Sequence, residues 1–434
     1  MRTNGLGANY RKLFISTTVS NLGDGMSLIA YPWLASALTR NPILISSVVL
    51  VQRLPWLVFT LPVGVITDRV DRKKAMVIAD FTRFGLTLIV AFAVLGRQSS
   101  LPGPDQLSRV VGTATGLYVV LLVATLLLGT AEVLRDNCAQ TFMPAIVATD
   151  QLEKANGRMW SAEGIANTFV GPPLGSLLML VAFSLPFFVD AASFFAAAAL
   201  VASIPGSFRA LRPDDHVQAP WRSELAEGFR WLWSNDLLRS MAIILGLMNL
   251  ASTLSGSVLV LFAQEILHVG PFGFTVMGFG FAAGAAIGGN LAPRMSRRLG
   301  SGTCLAMTLG SSAVVSFFVG LSSHWPVVMV LYGVSATLGA TWNVITVSLR
   351  QSIIPPHLLG RVNSVYRFFA WGMMPIGAAL GGITVTVVSH LANRRIALRS
   401  AFLLDGAIYL CLFIVGRSKL TTAKLEAART AVPA

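Results

Sequence analysis

The chain has 434 residues, of which 54% are hydrophobic and only 12% are charged, and its mean hydropathy is +0.69. Because soluble domains carry about a quarter charged residues, this composition excludes an ordinary soluble protein and is typical of a membrane protein. In a soluble chain the net charge of +14 would suggest a nucleic-acid partner. Here most of the basic residues fall in alternate loops between apolar stretches, which favours a different explanation.

Stretches of about 20 apolar residues predict membrane-spanning helices. Twelve such stretches begin near Leu13, Ile43, Ala75, Thr113, Met159, Ser184, Leu237, Phe272, Thr303, Pro326, Val362 and Ala397. The first stretch is too long for the core of a signal peptide and contains an acid, so we expect it to be retained. The sequence therefore predicts an all-α membrane protein with twelve transmembrane helices.

Basic residues are unevenly divided between alternate loops. With both termini in the cytoplasm, nine arginines lie in outer loops or within spans and at their ends: Arg40, Arg97, Arg109, Arg394, Arg395 and Arg399 outside, and Arg53, Arg83 and Arg135 in the spans. The other 24 of the 33 basic residues fall on the cytoplasmic side, as the positive-inside rule requires. We therefore expect a multi-pass protein of the cell membrane, with cytoplasmic termini and no nucleic-acid partner.

The first span carries a carboxylate, Asp24, between two glycines in "SNLGDGMSLIAYPW". A charge at the centre of a span costs about 2.5–3.5 kcal/mol, so its presence indicates a function. At about 1.5 Å per residue, Asp24, Arg53 and Glu132 all lie about 18–22 Å from the cytoplasmic face. We expect Asp24 to accept and release a proton, with Glu132 as its partner and Arg53 as its counter-ion. The alternative is an Asp–Arg pair that only holds two helices together.

The loop after the second span reads "GVITDRVDRKK". Its candidate gate residues are a glycine and four charged residues: Gly64, Asp68, Arg69, Arg72 and Lys73. Asp68 and Arg72 are four residues apart, so they can face each other if the loop is helical. The alternative is that these charges only anchor the topology.

Glycines recur every four residues in the eighth span, at Gly280, Gly284 and Gly288. The segment superficially resembles a dinucleotide-binding loop, but no strand precedes it, and the spacing favours close helix packing. The chain also has no phosphate-binding loop of the G-x-x-x-x-G-K-[ST] type, so we expect no ATP site.

Three sequence matches relate the two halves of the chain. Gly64 and Gly289 are 225 residues apart, Asn156 and Asn363 are 207 apart, and Asp190 and Asp405 are 215 apart. Because the offsets change only where outer loops differ in length, they indicate a parallel repeat of six spans. We expect bundles at residues 1–204 and 237–434, joined by a cytoplasmic linker at 205–236 that carries a short amphipathic helix. A shared structural role is expected for the paired acids Asp190 and Asp405.

These features together resemble the major facilitator superfamily, whose cytoplasmic signature matches "GVITDRVDRKK". The segments "LRDNCAQTFMPAIV" and "LEKANGRMW" resemble the drug:proton antiporter branch, which includes macrolide efflux proteins and the enterobactin exporter. The resemblance implies alternating access and a latch in which Asp68 contacts Arg72 and the start of the eleventh span. It also implies that "GIANTFVGPPLGS" is an antiporter motif, with Gly164, Gly171, Pro172 and Gly175 as its matching positions, although Pro173 and Ser176 depart from it.

A substrate site is expected between the bundles near the membrane midplane. Its candidate residues are Asn21, Tyr31, Trp33, Asn249, Trp342, Asn343, Tyr366 and Trp371. Such an aromatic cavity suits a bulky amphipathic molecule. The sequence therefore predicts a proton-coupled exporter of a drug-like or siderophore-like compound, with a proton-coupled importer as the alternative.

Enzymatic and sensory functions are the remote alternatives. The three cysteines and five histidines are scattered, so neither a disulfide framework nor a metal site is indicated. No nucleophile with a nearby base is apparent, and the tail after the last span is too short for a sensor domain. We expect no catalytic residues, no metal and no cofactor, with protons, a small molecule and the lipid bilayer as partners of a monomer.

Overall fold

The computed structural model describes residues 6–67, 70–103, 107, 110, 112–148, 151–208, 221–355 and 358–430, and long helices make up most of them. In chain order the α-helices are α1 (Gly7–Leu38), α2 (Pro42–Thr67), α3 (Arg72–Leu95), α4 (Thr115–Ile146), α5 (Leu152–Gly164), α6 (Gly171–Val181), α7 (Leu185–Ala202), α8 (Trp221–Ser234), α9 (Asp236–Ser257), α10 (Leu259–Glu265), α11 (Pro271–Leu299), α12 (Ser301–Leu321), α13 (Trp325–Ile353), α14 (Leu359–Leu391), α15 (Arg394–Lys419) and α16 (Thr422–Thr430). A 3₁₀ turn spans Gln98–Ser100, and a π-helical segment, Ile165–Val170, joins α5 to α6.

Eleven of the described helical segments are long and apolar enough to cross a membrane. They are α2, α3, α4, the α5–α6 segment, α7, the α9–α10 segment and α11 to α15. Each coincides with a predicted span, and α1 coincides with the first. α1 has 32 residues, which is enough to cross about 30 Å of hydrocarbon, but its many polar residues keep it out of the eleven. The predicted all-α membrane architecture is confirmed.

Polar side chains mark where three of these helices begin. Asp71, Asn235 and Asn393 precede α3, α9 and α15, and each accepts a hydrogen bond from the backbone N–H three residues later, at 3.2, 3.0 and 3.0 Å. Such caps satisfy backbone donors that a helix leaves unpaired at its first turn. The short polar breaks between apolar runs therefore set the helix starts.

One compact unit comprises residues 1–40, 51–216 and 270–275. In this unit α1 packs against α4, α6 and α7, and α3 packs against α4 and α7. A buried apolar cluster that includes Leu13, Met76 and Phe142 fills its core near the starts of α1 and α3. This packing brings side chains from α1, α3, α4 and α7 to one place inside the unit.

The other compact unit comprises residues 41–50, 217–269 and 276–434. Here α9 packs against α14, and α12 packs against α13 and α15. The predicted amphipathic helix is present as α8 and lies on α14, where Glu227 and Arg361 form an ion pair of 2.5 Å. A Cβ at Gly228 would lie 2.8 Å from the backbone of Arg361, so the two helices are in close contact. The boundaries predicted at 1–204, 205–236 and 237–434 stay predictions.

The glycine stripe of α11 packs against α13. A Cβ at Gly280, Gly284 or Gly288 would collide with the backbone of α13. The interpretation of these glycines as packing positions is therefore confirmed.

Candidate functional site

Asp24 lies in α1 where two neighbouring helical segments approach most closely. A Cβ at Gly23 would collide with the carboxylate of Asp190 on α7, and a Cβ at Gly25 would lie 2.7 Å from the backbone oxygen of Asn167 in the π-helical segment. Only glycine permits this approach on both sides, so the sequence "GDG" places a carboxylate at the crossing of three helices.

The counter-ion of Asp24 is Arg83 of α3. Its Nη2 forms an ion pair and hydrogen bond with Asp24 Oδ1, and its Nη1 donates to Ser20 Oγ at 3.2 Å. The guanidinium also lies over the ring of Phe194, 3.9 Å from the centroid. Arg83 is only 3% exposed, whereas the Asp24 side chain is 29% exposed. A buried guanidinium thus pairs with a carboxylate that remains partly accessible for the exchange of a proton.

The prediction of Arg53 as the counter-ion of Asp24 is wrong. The side chain of Arg53 is exposed on α2, and its electrostatic interaction is with Glu132. Counting residues placed Arg53 near the depth of Asp24, but depth does not specify which way a side chain points around its helix. Arg83 on α3 has the direction that Arg53 lacks.

Asp24, Arg83 and Glu132 line one small cavity inside the first unit, together with Asp190 and Tyr31. Its volume is about 50 Å³, which is room for one or two water molecules among polar partners. Asp24 and Glu132 are therefore brought together, as the sequence predicted. Several carboxylates surround one guanidinium and a water-sized cavity. In such a group one carboxylate can bind a proton and thereby lose its negative charge.

Two further acids of the third and fourth spans extend this group, and they were not identified from the sequence. Asp80 lies one turn before Arg83, and Arg135 and Asp136 follow Glu132 on α4. Asp80 Oδ1 lies 3.7 Å from Arg83 Nη1 and 3.5 Å from Arg135 Nε, and Arg135 Nη1 lies 3.8 Å from Asp136 Oδ1. The Asp-x-x-Arg spacing within an apolar span is a signal that could have revealed the first pair.

Asp190 and Asp405 have equivalent surroundings in the two halves. Asp190 Oδ2 accepts a hydrogen bond from Ser27 of α1 at 2.6 Å. Asp405 Oδ2 accepts from Ser255 of α9 at 2.8 Å and from Ser316 of α12 at 3.1 Å. Both carboxylates join helices within their own unit, which supports the shared structural role expected for them. Asp190 additionally borders the cavity of Asp24.

The cytoplasmic signature is described only in part. Gly64 lies in the last turn of α2, whereas Asp68 and Arg69 fall outside the described residues. Arg72 begins α3, and its Nη1 donates to a backbone carbonyl of α4 at 3.0 Å, while Lys73 is half-buried. Arg72 thus ties α3 to α4, and the latch that the resemblance implies between Asp68 and Arg72 stays a prediction.

The antiporter motif lies where the fifth span crosses α1. A Cβ at Gly171 would lie 2.6 Å from the Cα of Gly25, and one at Gly175 would lie 2.8 Å from a carbonyl oxygen of α1. Gly164 faces open space, and Pro172 is buried in the first turn of α6. Two of the four motif positions therefore bring the fifth span into contact with the helix that carries Asp24.

The residues predicted for the substrate cavity fall into two groups. Trp33, Trp342 and Tyr366 are 0%, 1% and 1% exposed. In this conformation their large rings fill the packed cores, so their place in a substrate cavity stays a prediction. The other five are Tyr31, which lines the small cavity, Asn343, which is exposed, and Asn21, Asn249 and Trp371, which are half-buried.

Comparisons with known proteins match the chain over nearly its whole length. The family model of the Major Facilitator Superfamily matches residues 13–376. The enterobactin exporter EntS of Shigella boydii serotype 4 (strain Sb227) is 26% identical over 392 residues, which cover 88% of this chain and 87% of the relative. EntS of Escherichia coli O1:K1 / APEC has the same identity and coverage.

Solved transporter structures share the fold. The nucleoside transporter NupG, solved as a mutant, matches with a TM-score of 0.71 at 12% identity, covering 95% of this chain and 100% of NupG. A bacterial homologue of the iron transporter ferroportin in an inward-facing state matches with a TM-score of 0.66 at 15% identity, covering 94% and 100%.

Proposed function

Because the chain belongs to the Major Facilitator Superfamily and is a multi-pass membrane transporter rather than an enzyme, we propose that it exports a small amphipathic molecule in exchange for protons. The observation that carries the proposal is the Asp24–Arg83 pair at a water-sized cavity within the first unit. The enterobactin exporters at 26% identity favour export, and a siderophore-like compound, over import.

The proposed mechanism uses the charge of Asp24 as a switch. When Asp24 is ionised, its pair with Arg83 holds α1 against α3. A proton on Asp24 removes this attraction, and Arg83 then keeps its proximity to Asp80 within α3, while only its weaker hydrogen bond to Ser20 still links α3 to α1. α1 can then move relative to α3, and the crossing at Gly25 and Gly171 passes the movement to the fifth span. Proton binding would thereby favour one of the two access states.

Everted membrane vesicles with an acidic interior test this proposal. We expect the protein to drive accumulation of labelled enterobactin or a cationic dye, and a protonophore to abolish it. Asp24→Asn should fold normally, because Arg83 retains Asp80 and Ser20 as partners. It should lose uptake driven by the pH gradient but retain substrate exchange across the membrane without a gradient.

Asp236→Asn is the matched control. Like Asp24, Asp236 pairs with an arginine, in this case Arg239, but its side chain is 69% exposed. This variant should leave uptake unchanged. Gradient-driven uptake by Asp24→Asn equal to that of the unmodified protein would refute the role of Asp24. Uptake that occurs only in right-side-out vesicles would show an importer instead.

A further inference from the structure

Five charged side chains alternate in sign along a line through α1, α3 and α4. The order is Asp24, Arg83, Asp80, Arg135 and Asp136. The side chains of Arg83, Asp80 and Arg135 are 3%, 0% and 3% exposed, whereas Asp24 and Asp136 at the two ends are 29% and 38% exposed. Two accessible carboxylates are thus connected through three buried charges.

Asp80 is shared almost equally between its two neighbours. Its Oδ1 lies 3.7 Å from Arg83 and 3.5 Å from Arg135, and neither of its oxygens accepts a hydrogen bond from the described part of the chain. Asp80 faces two guanidinium groups at similar distances, with Arg135 slightly the nearer, so a change in charge on either side alters how strongly it attracts each arginine.

The two ends of the line compete for Asp80. When Asp24 becomes neutral, Arg83 is left with Asp80, and Asp80 then attracts Arg135 less. Arg135 becomes more available to Asp136, which stabilises the ionised form of Asp136. The same argument runs in reverse from Asp136 to Asp24.

We infer that Asp80 couples Asp24 to Asp136 as a positioning residue, so that a proton at one end weakens proton binding at the other and the pair carries one proton at a time. Asp136 is thereby assigned as a second proton-exchange site, one turn beyond Glu132. The use of this alternation in transport rests on the proposed proton-carrying role of Asp24.

Other charged groups face the same line and set its background. Glu132 on α4 and Asp190 on α7 border the Asp24 end, Glu163 on α5 interacts with Asp136, and Arg53 on α2 interacts with Glu132. None of them lies between Asp80 and the two arginines in the contacts described. They therefore affect proton binding at Asp24 and Asp136 without replacing Asp80 as the link between them.

The pH dependence of thermal stability tests the coupling without substrate or gradient. Purified protein in detergent is heated at a series of pH values with a thiol-reactive dye, which reports unfolding through the buried Cys138 and Cys304. Asp136→Asn should move the acid midpoint of the stability curve to lower pH, on the order of one pH unit, because Arg83 is then released to hold Asp24 ionised. Asp236→Asn should leave the midpoint in place.

The decisive comparison repeats Asp136→Asn in an Asp80→Asn background. We expect the shift to fall below half of its original size, and Asp80→Glu in place of Asp80→Asn to restore it. If Asp80→Asn does not fold, the charge-balanced double variant Asp80→Asn with Arg135→Gln takes its place, with the same expectation. An equal shift in both backgrounds, or no shift in the unmodified background, would overturn the inference.

The two proposals fail separately. Absence of gradient-driven transport with an intact shift would refute the exporter proposal and leave the coupling standing. Intact transport with equal shifts in both backgrounds would refute the coupling and leave the exporter proposal standing.

Discussion

At the scale of single residues, Asp71 shows how a surface loop is held on the membrane-spanning bundle. Its carboxylate caps α3 and also accepts hydrogen bonds from Ser207 Oγ at 2.5 Å and from the backbone N–H of Phe208 at 3.2 Å. Burial acts to raise the pKa of Asp71, but these hydrogen bonds outweigh it and hold the pKa below its usual range. The ionised carboxylate therefore fastens the chain that follows α7 to the start of α3.

Asp71 gives the protein a stability term that depends on pH. Because the folded pKa lies below the unfolded one, the term is fully present above the ordinary Asp value of about 4 and is lost as the pH falls through the folded pKa. Asp71→Ala should lower the free energy of unfolding at neutral pH by about 1 kcal/mol through loss of the cap alone. Thermal unfolding in detergent at several pH values measures this effect.

Asp71→Asn separates the cap from the charge, since asparagine caps a helix as well as aspartate does. It should keep more of the neutral-pH stability than Asp71→Ala, and the difference from the unmodified protein should shrink in acid. A difference that stays constant across the pH series would show that the charge of Asp71 is not involved.

The sequence identified two acids of the site but not the counter-ion of Asp24. Asp24 and Glu132 could be found because a carboxylate in an apolar span is conspicuous and its depth follows from counting residues. Arg83 could not be chosen over Arg53, because both are at suitable depths and only helix packing decides which one faces α1. By the same limitation the sequence could not show that Trp33 is buried in the core in this conformation.

At the scale of elements, the contact between α1 and the fifth span depends on residues without side chains. Gly171→Ala places a Cβ 2.6 Å from the Cα of Gly25, and a backbone atom cannot move aside as a flexible side chain can. We expect a loss of about 1–3 kcal/mol in the free energy of unfolding, and a loss of transport larger than the loss of stability explains. Thermal unfolding and vesicle uptake measure the two effects.

Gly164→Ala is the control within the same motif. A Cβ at Gly164 meets open space, and alanine is favoured over glycine in a helix by up to about 1 kcal/mol. This variant should be as stable as the unmodified protein or more so, with normal transport. Equal damage from both substitutions would mean that the motif does not act through the contact with α1.

Helix positions were predictable from apolar length and from polar breaks, because both follow from the chain alone. The π-helical turn at Ile165–Val170 was not predicted, since nothing in the apolar pattern distinguishes its residues from those of a regular helix. In the fold the turn directly precedes Gly171, which packs on Gly25. Likewise, the contact of α8 with α14 depends on Gly228, which sequence patterns do not associate with a partner.

At the scale of the whole molecule, the internal repeat extends to individual hydrogen bonds. Ser27 and Ser255 are 228 residues apart, and each donates to the acid of its own half, Asp190 or Asp405. The position equivalent to Asp24 is Ser252, so the second half has the structural bond without the proton-binding acid. Both halves thus contain the serine–aspartate hydrogen bond, but only the first half contains the proposed proton site.

This asymmetry predicts that Asp405→Asn leaves coupling intact. The asparagine oxygen can accept the hydrogen bonds of Ser255 and Ser316 that Asp405 Oδ2 now accepts, so the change in stability should stay within about 1 kcal/mol. Vesicle uptake should keep its dependence on the pH gradient, in contrast to Asp24→Asn. Loss of gradient-driven uptake in a stable Asp405→Asn protein would place part of the coupling in the second half.

The π-helical turn in the fifth span has a consequence for comparing this chain with its relatives. A π turn contains one residue more than an α turn over the same rise, and one residue corresponds to about 100° of rotation around a helix. Because the π turn takes up this extra residue without passing its rotation to the rest of the span, deleting one residue from 165–170 would leave a regular helix in which Gly171 and Gly175 still face α1. A relative with a regular helix here would therefore align correctly only with a one-residue gap inside a membrane span, where gaps are ordinarily forbidden.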